Sequence, residues 1–108
     1  MRPPPDAACR HASGAWRCRH KADLWSAFDH NIQIVPHGWN TAVGLAADLQ
    51  FSAAIPVARY VEYLTPCDYI EDITTTKFEI DAEGFLKIPA LPGLGIELDH
   101  DKLKKYRM

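Results

Sequence analysis

The run Ile32-Gln-Ile-Val-Pro-His-Gly-Trp-Asn-Thr41 constrains this chain more than any other stretch. Its first part, Ile32 to Val35, is nearly continuous in apolar character rather than alternating. That is the pattern of a strand buried on both faces of a parallel sheet. The run then passes through Pro36, His37 and Gly38 into a helix start, with Asn40 or Thr41 placed to cap it. In α/β proteins the chemistry sits at such junctions, because side chains at the carboxyl ends of parallel strands converge on one rim.

The pattern predicts a helix running to about Ala54, with Val43, Ala46, Leu49 and Ala53 on one side and Pro56 marking its end. Residues Ala58 to Leu64 read as a second strand, rich in β-formers. Strand, helix, strand is a βαβ unit with a right-handed crossover. A short helix precedes it, carrying Ala22, Trp25 and Phe28 three apart and broken at Asp29-His-Asn31. After Leu64, residues Thr65 to Thr76 read as a polar loop. Phe78 to Ile80 and Phe85 to Ile88 then form a β-hairpin across Asp81-Ala-Glu-Gly84. A Pro/Gly-rich loop spans Pro89 to Gly95, where the glycines permit a tight backbone path rather than bind phosphate, and Asp99 caps a last helix from about His100 to Tyr106.

One βαβ unit cannot bury its own faces or close a sheet. The chain has 108 residues, room for one small domain. Its apolar strands therefore demand neighbours it does not supply, and the sequence reads as a piece of something larger and marginally stable alone. A net charge of −2 points to no nucleic-acid or membrane-surface partner. No apolar run approaches the ~20 residues of a membrane helix, and no hydrophobic leader opens the sequence. Three scattered cysteines make no disulfide framework, so a reducing, cytoplasmic setting is expected. Residues 1–20 show neither helical nor strand period and are expected to be irregular or disordered; the regular part is 21–108. Cys9, His11, Cys18 and His20 have one residue inside each pair, against the usual two to four of zinc sites.

Residues 21–108 resemble the C-terminal part of the mandelate racemase/muconate lactonizing enzyme family of the enolase superfamily. Val35-Pro-His-Gly-Trp-Asn-Thr-Ala-Val-Gly-Leu-Ala-Ala46 is similar to the stretch that follows the seventh barrel strand. Tyr60-Val-Glu-Tyr63 is similar to the eighth strand, and Gly84 to Asp99, with Pro92-Gly-Leu-Gly95, to the closing segment. The fold class implied is α/β: a C-terminal fragment of a (β/α) TIM-like barrel, comprising one βαβ unit with a preceding helix, then a β-hairpin and a short helix.

The resemblance implies magnesium-dependent abstraction of the proton α to a carboxylate, with a hydroxy-carboxylate or sugar acid as substrate. It makes His37 the general base and Glu62, 25 residues on, the eighth-strand glutamate that hydrogen-bonds the substrate carboxylate. Trp39 and Asn40 become candidate substrate contacts, with core packing and helix capping as their alternative roles. It also implies a homo-oligomeric enzyme, an acid-sugar dehydratase or a racemase/epimerase. The family's metal carboxylates lie on its third to fifth strands and its lysine on the second, so this chain alone is expected to bind no metal and to be inactive. A sixth-strand carboxylate orients the family's histidine. Asp6 follows Pro3-Pro-Pro5 as that residue often follows a proline, yet no apolar strand precedes it. The alternative function is a non-catalytic remnant, or a small interaction module that docks on a barrel.

Overall fold

The structure is a computed structural model that describes residues 24–37 and 41–107. Residues 24–29 are helical (α1). Trp25 and Phe28 share a face of it in an edge-to-face contact, with ring centroids 6.1 Å apart, and both are exposed. Ala22, assigned to the same face, lies outside the described residues. The end of α1 follows from Asn31, which takes the left-handed conformation at φ 58°. Asn31 N–H donates to the Phe28 carbonyl and Ile32 N–H to the Ala27 carbonyl. These are the paired bonds of a Schellman stop, a role for which asparagine is second to glycine.

The chain then runs to Ile34, which forms an isolated parallel bridge with Ala58, Ile34 N–H donating to the Val57 carbonyl at 3.0 Å. Between the two runs lies α2, Ala42–Ala54. The βαβ connectivity is therefore present, but the strands expected over 32–35 and 58–64 are reduced to this one bridge. The physical reason is the one that makes a lone βαβ unit incomplete. A ladder grows by adding partners, and Pro36 removes one donor within two residues of the bridge.

Thr41 occupies the N-cap of α2, yet its side chain makes no capping bond. Asn40, the other candidate cap, lies outside the described residues. The buried face of α2 carries Ala42, Leu45, Ala46 and Leu49, the i, i+3, i+4, i+7 stripe of a helix laid on a core. The expected face is thus rotated: Ala46 and Leu49 are in it, while Val43 and Ala53 are exposed.

What α2 packs against lies in the segment read as a polar loop. Residues Asp68–Glu71 form a one-turn helix, α3. Cys67, Ile70, Ile73 and Thr74 around it are buried. Leu45, Leu49, Cys67 and Ile70 make the central cluster, with Val61, Tyr63, Leu64, Phe78 and Leu86 packed on it. Burying an aliphatic side chain of this size contributes about 1.5–3 kcal/mol.

The closing segment is tied to this core by polar bonds. An isolated antiparallel bridge joins Thr74 to Leu98, and the Glu97 carbonyl accepts from Thr75 N–H and the Thr74 hydroxyl. The hairpin forms with a three-residue connection. Ile80 bridges Leu86, Gly84 sits at φ 88°, and the Asp81 carboxylate accepts from Glu83 N–H and Phe85 N–H. In the Pro/Gly loop, Gln50 on α2 donates to the Pro89 carbonyl at 3.0 Å. Gly95 lies at φ 83°, where a Cβ would meet the Pro89 carbonyl oxygen at 2.4 Å, so backbone contact itself demands glycine. Asp99 caps the final helix, α4 (His100–Leu103), accepting from Asp101 N–H and Lys102 N–H, and a 3₁₀ turn completes it over Lys104–Tyr106.

Large apolar side chains remain at the surface, among them Tyr60 at 66% and Phe85 at 67% exposure. A hydrophobic dye should therefore bind the chain in solution. Replacing Tyr60 and Phe85 together with serine should lower its fluorescence, whereas Leu45→Ala, which opens the core, should raise it. An unchanged signal in both variants would contradict this division into surface and core.

A histidine–glutamate pair at the strand ends

His37 stands three residues beyond Ile34, and Glu62 four beyond Ala58. Extended chain advances about 3.3 Å per residue, so a parallel bridge at 34 and 58 carries both residues to the same end of the unit. There the two side chains touch. His37 Nδ1 and Glu62 Oε2 are 2.6 Å apart, within the range of a charge-assisted hydrogen bond. A carboxylate oxygen accepts, so the donor of this contact is the Nδ1–H tautomer of the ring or the protonated ring.

The side chains of His37 and Glu62 are 47% and 48% exposed. At that exposure an ion pair contributes about 0–1 kcal/mol, so the contact fixes geometry more than it stabilises the fold. Trp39 and Asn40, the other predicted site residues, lie outside the described residues, as do Asp6 and the Cys/His pairs near the N-terminus. Among the described residues no three His, Cys, Asp or Glu side chains gather to hold a metal ion. Magnesium takes near-octahedral oxygen coordination, and one imidazole beside one carboxylate does not fit it.

A cleft of about 440 Å³ is lined by Tyr63, Thr65, Glu71, Thr76, Lys77, Phe78 and Ile80. The Thr65 hydroxyl donates to Glu71 Oε1 at 2.6 Å, and the Tyr63 and Phe78 rings lie 6.1 Å apart. No motif marks these residues. They come from three successive stretches, the run through Tyr63 and Thr65, α3, and residues 76–80, that line one cleft.

With this geometry in place, the comparisons decide the family. The sequence profile described as enolase C-terminal domain-like matches residues 7–102. The chain belongs to that family. D-galactarolactone cycloisomerase of Agrobacterium fabrum is 36% identical over 88 residues, 73% of this chain and 23% of that enzyme. Chloromuconate cycloisomerase of Pseudomonas putida is 35% identical over 69 residues, 62% of this chain and 18% of the enzyme. Among solved structures, a mandelate racemase/muconate lactonizing enzyme from Jannaschia sp. CCS1 superposes with a TM-score of 0.72 at 27% identity, over 90% of this chain and 24% of its own. Its counterpart from Sulfitobacter sp. gives 0.66, also at 27% identity, over 76% of this chain and 20% of its own. The enolase-superfamily chain thus spans less than a quarter of the length of each of these relatives. No helix among its described residues is long and apolar enough to cross a membrane.

Burial, reinforced by the negative charge of Glu71, pushes the Tyr63 phenol above its ordinary value of about 10, against a smaller opposing effect from its hydrogen bond with Thr65. The folded chain therefore holds a proton that the unfolded chain gives up first. The stability from this group is complete below about pH 10 and is lost as pH rises through the folded value. Phenolate absorbance measured for the wild type minus that for Tyr63→Phe should isolate one phenol with a midpoint above about 10. A midpoint at or below that value would refute the burial of Tyr63.

Proposed function

We propose that this chain supplies the seventh- and eighth-strand part of the active-site rim of an enolase-superfamily enzyme that removes the proton α to a carboxylate. His37 acts as general base and Glu62 as the carboxylate beside it. The observation that carries the reading is the contact of these two side chains beyond the Ile34–Ala58 bridge, within the range that matches the family.

In the proposed step an imidazole nitrogen of His37 takes the proton. The carbon–hydrogen bond breaks, its electron pair stays on the substrate, and the charge delocalises into the adjacent carboxylate. Magnesium, which the family generally uses, would supply charge stabilisation from carboxylates outside this chain. The substrate is a hydroxy-carboxylate or sugar acid. The fate of the carbanion separates dehydratase, racemase or epimerase, and cycloisomerase, and the two curated relatives both bear cycloisomerase names. The exposed Tyr60 and Phe85 support a second reading, a non-catalytic module that docks on a barrel.

One assay separates the two. Deuterium wash-out from the α-carbon of sugar acids with magnesium should be absent for the 108-residue chain alone. It should appear in a chimera where this chain replaces the matching segment of the D-galactarolactone cycloisomerase, and fall about 10²–10⁴-fold on His37→Asn. Exchange indifferent to His37 would remove it as the base.

A further inference from the structure

We infer that the cleft beside Tyr63 and Phe78 is a binding site for a small zwitterion with an apolar body, in chemistry an apolar α-amino acid. The ligand's ammonium group faces Glu71, its carboxylate faces Lys77 and Thr76, and its side chain lies on the two rings. None of these residues is His37 or Glu62, and the binding requires no proton transfer.

The cleft measures about 440 Å³, within the roughly 300–1,000 Å³ of small-ligand sites. Its apolar wall is aromatic. The Tyr63 and Phe78 rings lie 6.1 Å apart at 58° to each other, and both are half-buried. Its charged groups are of opposite sign. Glu71 and Lys77 both border the cleft and are both exposed. Among the described residues neither takes part in an ion pair. The Glu71 carboxylate is held at one oxygen only, where the Thr65 hydroxyl donates to Oε1 at 2.6 Å. Burial, and then the negative charge of Glu71, raise the Tyr63 phenol, so Tyr63 is neutral at neutral pH and adds no charge of its own. At the other end, Thr76 Oγ1 accepts from Glu97 N–H at 3.1 Å. That bond fixes the hydroxyl and leaves its proton to donate. Thr76 and Lys77 together therefore offer two donors to an anionic group.

This pattern selects against a ligand of one sign. A simple anion is drawn by Lys77 and repelled by Glu71, and a simple cation meets the reverse. A ligand that carries both charges satisfies both groups, and the aromatic wall takes its apolar part. An α-amino acid places ammonium, carboxylate and apolar group on one carbon, which suits three kinds of surface meeting in one small cleft.

Three ligands dissect the contacts by NMR titration of the ¹⁵N-labelled 108-residue chain. They are L-phenylalanine, phenethylamine, which lacks the carboxylate, and 3-phenylpropionate, which lacks the amine. Phenylalanine should saturate the shifts of amides within residues 63–80, and each analogue should bind about tenfold more weakly. In Glu71→Gln, phenylalanine and 3-phenylpropionate should bind alike. In Lys77→Met, phenylalanine and phenethylamine should bind alike. Such crossed losses assign each charge to its partner, whereas unfolding weakens all three ligands together. Equal affinity for the three ligands in the wild type overturns the site, as does absence of saturation with phenylalanine. Shifts centred outside residues 63–80 overturn it too. Tighter binding of 3-phenylpropionate than of phenylalanine would mark an anion site governed by Lys77 and would also overturn it.

Discussion

A single parallel bridge, Ile34 to Ala58, decides where the chemistry of this chain can sit. Two extended runs joined by a 13-residue helix could slide by a residue or more. Each slip would move a strand-end side chain by about 3.3 Å and turn it to the other face. The bond from Ile34 N–H to the Val57 carbonyl removes that freedom. With the register set, His37 and Glu62 reach the same end and a 2.6 Å contact becomes possible. Pro36, with no N–H to donate, lies between the bridge and His37, so the pairing stops before the histidine.

The bridge is held by packing away from it. Leu45 and Leu49 of α2 pack with Cys67 and Ile70 of the segment around α3, and α3 in turn follows the run that carries Glu62. The closing segment fastens the outside of this arrangement through Gln50 to the Pro89 carbonyl and through Thr74 and Thr75 to Glu97. The core therefore serves the rim by anchoring both ends of the crossover. The part of the chain with the least regular structure supplies half of the central cluster.

Much of this was legible in the sequence where a residue type has one physical use. Gly84 in the hairpin and Asp99 before the last helix act as read, and the order of two extended runs about a helix is kept with a single bridge between them. The buried face of α2 was harder to place, because Ala-Val-Gly-Leu-Ala-Ala is apolar at nearly every position and so gives little phase. The core role of Cys67, Ile70 and Ile73 was hidden by Asp68, Glu71 and Asp72 between them. Their spacing of three is helical, but one turn is too short for periodicity to register. The strands failed to extend for a reason that local pattern does not contain, namely that a ladder needs partners on both sides. At the site, motif and spacing picked out His37 and Glu62, while the pairing of Nδ1 with a carboxylate four residues past a bridge required coordinates.

The exposure of that pair defines what else the rim requires. In water-like surroundings a histidine–carboxylate contact at 2.6 Å has little energetic weight, because solvent screens it and competes for both partners. Covered by low-dielectric walls, the same contact becomes several-fold stronger, and its hold on the ring tightens accordingly. What additional barrel strands would contribute to this half-exposed contact is exclusion of water from it. Among the apolar side chains left at the surface, Tyr60 lies on the same run as Glu62, two residues before it. A wall built against that run would bury Tyr60 and dry the His37–Glu62 contact in one step.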